Sequence, residues 1–189
     1  MGLGTTVFLD TVDRLDDESL SGPSGLPGWT RAHVVAHVHH NAEALQRLLH
    51  WARTGEATPM YESAAARDAE IEHGAALPPA ELRKHVHTSA GQLSTAVDTL
   101  PDKAWGNQVR TAQGRTVPAS EVVWMRTREV AVHAVDLTAG VSFGDLPDDL
   151  NSALVKDAVD KRVGRGEAAV LAEWLTGRTA AAPLLGPWL

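Results

Sequence analysis

The chain has 189 residues, a formal net charge of -7 and no cysteine. That length fits one domain, or one domain with a short appendage, and buries enough surface for a core without cross-links. The lack of thiols excludes disulfides, thiolate metal sites and a cysteine nucleophile, and the acidic balance argues against a nucleic-acid partner.

The opening stretch, MGLGTTVFLDTVDRLDDESL, has no basic region and no long apolar run, so no secretory signal is expected. No segment approaches the roughly twenty apolar residues that cross a bilayer, so a cytoplasmic protein without a membrane partner is expected. Residues 4–20 read as a weak amphipathic helix, and SGPSGLPG, residues 21–28, as a loop. Thr30 is the expected N-cap of a long helix running to Thr54, which Gly55 stops. Shorter helices are expected over 63–74 and 79–99, the second opened by Pro78 and Pro79. The segment WGNQVRTAQGRTV, residues 105–117, places β-branched residues on both arms of a glycine turn and reads as a short hairpin or extended loop. Pro118 is expected to open a helix to Ala139, closed by Gly140. Helices at about 147–163 and 167–176 follow. The fold class is mainly α: an antiparallel four-helix bundle, residues 1–139, with a small helical extension over 140–189.

In the helix after Pro118, Val122, Arg126, Glu129, His133 and Asp136 fall on one stripe, flanked by Met125, Val132, Val123, Val130 and Leu137. Polar residues set in apolar surface face inward, where charge must be paired or bound to a metal. Glu129 and His133, spaced i, i+4, present both heads on one side. On this helix alone two readings stand. A metal could join the pair, or an internal network could pair Arg126 with Glu129 and Asp136 with His133.

The Thr30 helix supplies a third donor. Its apolar arc is Val34, Val35, Val38, Leu45, Leu48 and Leu49, and of its five histidines His37 lies nearest that arc. His33, His39, His40 and His50 are expected to point toward solvent. A lone histidine is more often structural. One histidine on one helix with a Glu-x-x-x-His pair on another makes an open three-ligand metal site, the arrangement of catalytic zinc. Asp136 can accept the second imidazole N–H of His133, or face solvent at the helix end. His73, His85 and His87 are expected at the surface. The tryptophans are expected mainly in packing, with Trp29 stapling the start of its helix.

The segments LPGWTRAHVVAHVHHNAEAL, HWARTGEATPMYES, TAQGRTVPASEVVWMRTREVAVHAVDL and the ending WLTGRT…PWL resemble the mycothiol-dependent maleylpyruvate isomerase family, in the DinB-like four-helix-bundle superfamily. The resemblance implies a divalent metal, zinc in the isomerase, on His37, Glu129 and His133. It implies a catalytic arginine, matched here by Arg178 in LTGRT, whose other reading is a surface arginine at a helix end. Asp136 and Arg126 are the further candidates for cofactor binding. The family's α/β C-terminal domain does not fit within residues 140–189, so a shortened C-terminal region is expected.

The implied activity is thiol addition to the double bond of maleylpyruvate, rotation, and elimination to fumarylpyruvate, in gentisate-type aromatic degradation. Mycothiol would be the thiol, kept as thiolate by the metal, and an unsaturated dicarboxylate the substrate. The alternatives are a mycothiol S-transferase of the same superfamily or a metal- or ligand-binding bundle without turnover.

Overall fold

The computed structural model describes residues 2–185. The chain divides into two compact units, one ending at Ser142 and the other beginning at Phe143. The first holds α1 (Gly2–Arg14), α2 (Asp17–Ser21), α3 (Arg31–Thr54), α4 (Ala64–Ala75), α5 (Pro79–Asp98), β1 (Gln108–Arg110), β2 (Thr116–Pro118) and α6 (Glu121–Asp136). The second holds α7 (Asp148–Gly164) and α8 (Ala168–Leu175). Among the described residues, no helix is long and apolar enough to cross a membrane. The PWL ending and Trp188 lie outside the described residues.

Local chemistry sets the limits of α3. The Thr30 side chain caps the His33 N–H, and the Thr30 N–H donates to His33 Nδ1 at 3.2 Å. An imidazole thus fills the place that Glu or Gln takes in the usual capping box. Gly55, at φ 81°, ends the helix in the left-handed conformation. The helix expected over 4–20 is two helices, because Asp16 caps a new one by accepting the Ser19 N–H at 2.7 Å. Pro118 does not open α6. It ends β2 opposite Gln108, and α6 begins at Glu121. Nor does α6 reach Ala139, since Thr138 turns to φ 48°.

α3 packs against α4, α5 and α6, and α1 packs against α5 and α6. Two apolar clusters fill the bundle. One gathers Leu45, Leu48, Leu49, Leu93, Val109, Val117 and Val122. The other gathers Phe8, Val12, Val34, Val35, Val38, Ile71, Val86 and Val130. Along α3 and α6 the change from one cluster to the other falls at buried polar residues: Asn41, Arg126 and Glu129. Three of the tryptophans sit at the margins of these clusters. Trp51 and Trp105 are half-buried against the first, Trp29 against the second, and Trp174 is exposed.

In the second unit, Gly177, at φ 73°, follows the end of α8 in the left-handed conformation. The Arg178 N–H bonds the Glu173 carbonyl at 2.8 Å and the Gly177 N–H bonds the Trp174 carbonyl at 2.9 Å, the paired bonds of a glycine helix stop.

α4 approaches α3 through Gly74, where a Cβ would stand 2.9 Å from the Ala36 Cβ. Gly74→Ala should therefore destabilise the protein, because overpacking costs about 1–3 kcal/mol and the helix-propensity gain returns at most about 1 kcal/mol. A lowered unfolding midpoint in denaturant is the expected result. A raised midpoint would show that the two helices are free to separate.

Candidate metal centre

The inward stripe of α6 is buried as its spacing predicts: Val122, Arg126, Glu129 and His133 are all buried, and Asp136 is half-buried. His37 of α3 meets Glu129 and His133 there. His37 Nε2 lies 3.1 Å from Glu129 Oε2, and His133 Nε2 lies 3.3 Å from the same oxygen. The two imidazole rings meet edge to face at 4.9 Å, and Trp29 covers His37 at 5.6 Å. One donor atom from each of the three residues lies within 4.8 Å of the others.

These residues fit a metal. A tetrahedral ion with bonds near 2.0–2.1 Å holds its donors about 3.3 Å apart, close to the two separations observed. His133 Nδ1 is 2.8 Å from Asp136 Oδ2, which orients the ring and leaves Nε2 facing the other two donors. That Nε2 is buried with no hydrogen-bond partner, its approach to Glu129 being an ion-pair contact without hydrogen-bond geometry.

The charges follow from burial and neighbours. Burial would raise the Glu129 carboxyl, but His133 and His37 hold it well below the usual carboxylate range. Burial lowers His37, against the pull of Glu129. Burial would also lower His133, but Asp136 and Glu129 outweigh it and raise it to about 9. Without metal, the neutral-pH triad is thus an imidazolium–carboxylate pair beside a neutral imidazole.

Arg126 is sealed in the core, 1% exposed, with its Nη1 donating to the Val38 carbonyl at 2.7 Å and to Asn41 Oδ1 at 3.1 Å. Burial lowers its pKa to about 10, with Glu129 opposing. Arg178 belongs to the second unit, where its guanidinium donates to the Thr176 carbonyl. Four histidines of the bundle are less exposed than the sequence reading expected. His39, expected toward solvent, is 8% exposed; His33 and His40, also expected toward solvent, and His85, expected at the surface, are half-buried. His50, His73 and His87 are exposed as expected.

Two residues at the site escaped the sequence reading. Arg67 of α4 brings Nη2 to 3.4 Å from His37 Nδ1. It also lines a cavity of about 480 Å³ walled by Tyr61, Ser63 and the hairpin residues Arg110, Thr111 and Gly114. Burial pushes the Tyr61 hydroxyl up to about 12, with Arg67 opposing. The triad does not itself line this cavity; Arg67 joins the two. The signal was present in α4, whose inward face is marked by Ile71 and Gly74 and includes Arg67 one turn earlier.

A DinB-like four-helix bundle with a buried His–Glu–His cluster that could hold a metal defines the class of the first unit. A family model described as the mycothiol maleylpyruvate isomerase N-terminal domain matches residues 2–138, and the chain belongs to that family. A crystal structure of the mycothiol-dependent maleylpyruvate isomerase is similar at 45% identity and a TM-score of 0.82, over 86% of this chain and 68% of that one. A histidine-to-alanine mutant of the isomerase is similar at 44% identity over the same shares, also with a TM-score of 0.82. No curated protein sequence matches significantly.

The raised pKa of His133 gives metal binding a pH dependence. Between neutral pH and about 9 the free site holds a proton on His133 that the metal must displace, while Glu129, held below the usual carboxylate range, is ionised and His37, lowered by burial, is neutral. Affinity should rise with pH, about tenfold per unit up to that value, and uptake at neutral pH should release about one proton. Titration calorimetry in buffers of different ionisation enthalpy measures this. Uptake without proton release would contradict the charge assignment.

Proposed function

We propose that the chain converts maleylpyruvate to fumarylpyruvate with mycothiol as its thiol, and that zinc is held by His37, Glu129 and His133. The observation that carries this reading is the convergence of those three side chains from two helices within 4.8 Å, in a member of the isomerase family. The similar solved structures, both titled as the mycothiol-dependent maleylpyruvate isomerase, support it. The absence of cysteine agrees with a borrowed thiol, and two imidazoles with a carboxylate suit zinc. When bound, metal and thiol supply a nucleophile at neutral pH that adds reversibly across the cis double bond, so the bond can rotate before the thiol leaves.

The chain's own residues do the rest. Asp136 fixes the His133 ring through Nδ1. Glu129 supplies a negative charge that partly neutralises the cation. Trp29 shields His37 from water. A dicarboxylate needs a cation beside the triad, and Arg67 stands there, at the wall of the cavity and against His37. We assign it one substrate carboxylate, which a guanidinium binds with two parallel hydrogen bonds. Arg178 is our candidate for the family's catalytic arginine, by its match in LTGRT.

Maleylpyruvate turnover followed with and without mycothiol, on metal-replete and chelated protein, tests the activity. Turnover should need both. Full-rate isomerisation without thiol would overturn the reading. Arg67→Lys keeps the charge but loses the planar fork, so kcat/KM should fall about ten- to a hundredfold, with metal content unchanged. Wild-type kinetics in Arg67→Lys together with a loss in Arg178→Lys would move the carboxylate to the second unit.

A further inference from the structure

His39 follows His37 by two residues, which turns it about 200° round α3, away from the triad. It is buried, yet its Nδ1 has no hydrogen-bond partner. Its ring lies 4.4 Å from that of His40 and 5.4 Å from that of His85 on α5. His39 Nε2 is 3.9 Å from Glu43 Oε1, and His40 Nδ1 is 3.0 Å from Glu43 Oε2. Glu70 of α4 brings Oε2 to 4.0 Å from His40 Nδ1, and that oxygen is buried without a hydrogen-bond partner. His39, His40 and Glu43 of α3 thus cluster, with Glu70 of α4 beside His40 and the His85 ring of α5 beside His39.

We propose that His39, His40 and Glu43 form a second site for a divalent transition-metal ion, with Glu70 and His85 placed to complete it. One donor from each of the first three lies within 4.8 Å of the others. Tetrahedral donors stand about 3.3 Å apart. The His40–Glu43 separation needs no closing, and that of His39 from Glu43 needs a small side-chain rotation. Nε2 of His40 faces Gly74, at 3.3 Å from where a Cβ there would stand, while its Nδ1 faces Glu43 and Glu70. The two carboxylates balance a 2+ ion. Imidazoles among the donors favour zinc, nickel or copper over magnesium or calcium. A cavity of about 550 Å³ has Glu43 in its wall.

The site has a structural consequence. An ion there ties α4 and α5 to α3 through Glu70 and His85. Glu70 is one turn from Arg67, so the ion also steadies the helix that presents Arg67 to His37.

The test is metal stoichiometry on the full chain, free of any affinity tag, dialysed against low-micromolar free zinc. The wild type should hold two equivalents. His39→Ala/His40→Ala should lose one, and Glu129→Ala the other. Glu43→Gln, nearly isosteric, should lose the same equivalent as the double variant and guards against a folding defect in it. One equivalent in the wild type that survives in His39→Ala/His40→Ala and vanishes in Glu129→Ala would overturn the second site. One equivalent that survives in Glu129→Ala and vanishes in Glu43→Gln would support it and overturn the triad as the zinc centre. Two equivalents in every variant would place the extra ion elsewhere and also overturn the proposal.

Discussion

A carboxylate kept ionised inside a helical bundle must be met by cations or donors, and Glu129 sets that requirement for this fold. It is buried midway along α6, where the lining passes from one apolar cluster to the other. Two imidazoles meet it, from α3 and from its own helix. Asp136 then supports the imidazole of His133 from behind. Arg126 adds a second buried charge, secured by a carbonyl and an amide oxygen of α3. Unpaired, such groups cost several kcal/mol each. Together they fix how α3 and α6 face each other. In the proposed centre, a divalent ion among the donors would replace the His133 proton as the partner of the carboxylate, so the residues that set the helix register would also hold the metal.

Around that layer, short-range chemistry does the positioning. The Thr30–His33 cap fixes where α3 begins, and so which face His37 presents. Trp29, just before the cap, stacks on His33 and meets the His37 ring at a tilt. The hairpin and the segment before α4 close a cavity whose wall includes Arg67. Gly74 lets α4 come close enough for Arg67 to reach His37.

The elements legible in the sequence were those written in local signals. α3 was readable to its ends because Thr30 and Gly55 are adjacent capping residues. His37, Glu129 and His133 were readable because the i, i+4 pair and the inward face need only helical periodicity. What failed depends on tertiary contact. Pro118 belongs to β2 because Gln108 lies opposite it, a pairing that no helix-start rule contains. His39 was placed toward solvent because a wheel assumes one buried face, whereas α3 packs against three helices and is buried round most of its circumference. Arg67 was overlooked because α4 is polar and short, although Ile71 and Gly74 mark the face it shares.

The central claim is that the layer around Glu129 is built to hold a metal and is not merely an internal ion-pair network. Crystals grown with zinc and measured on both sides of its absorption edge test it most directly. The account predicts an anomalous peak about 2.0–2.2 Å from His37 Nε2, His133 Nε2 and a Glu129 oxygen, with Asp136 still on His133 Nδ1. An intact contact between Glu129 and both imidazoles, with no peak among them at saturating zinc, would contradict it.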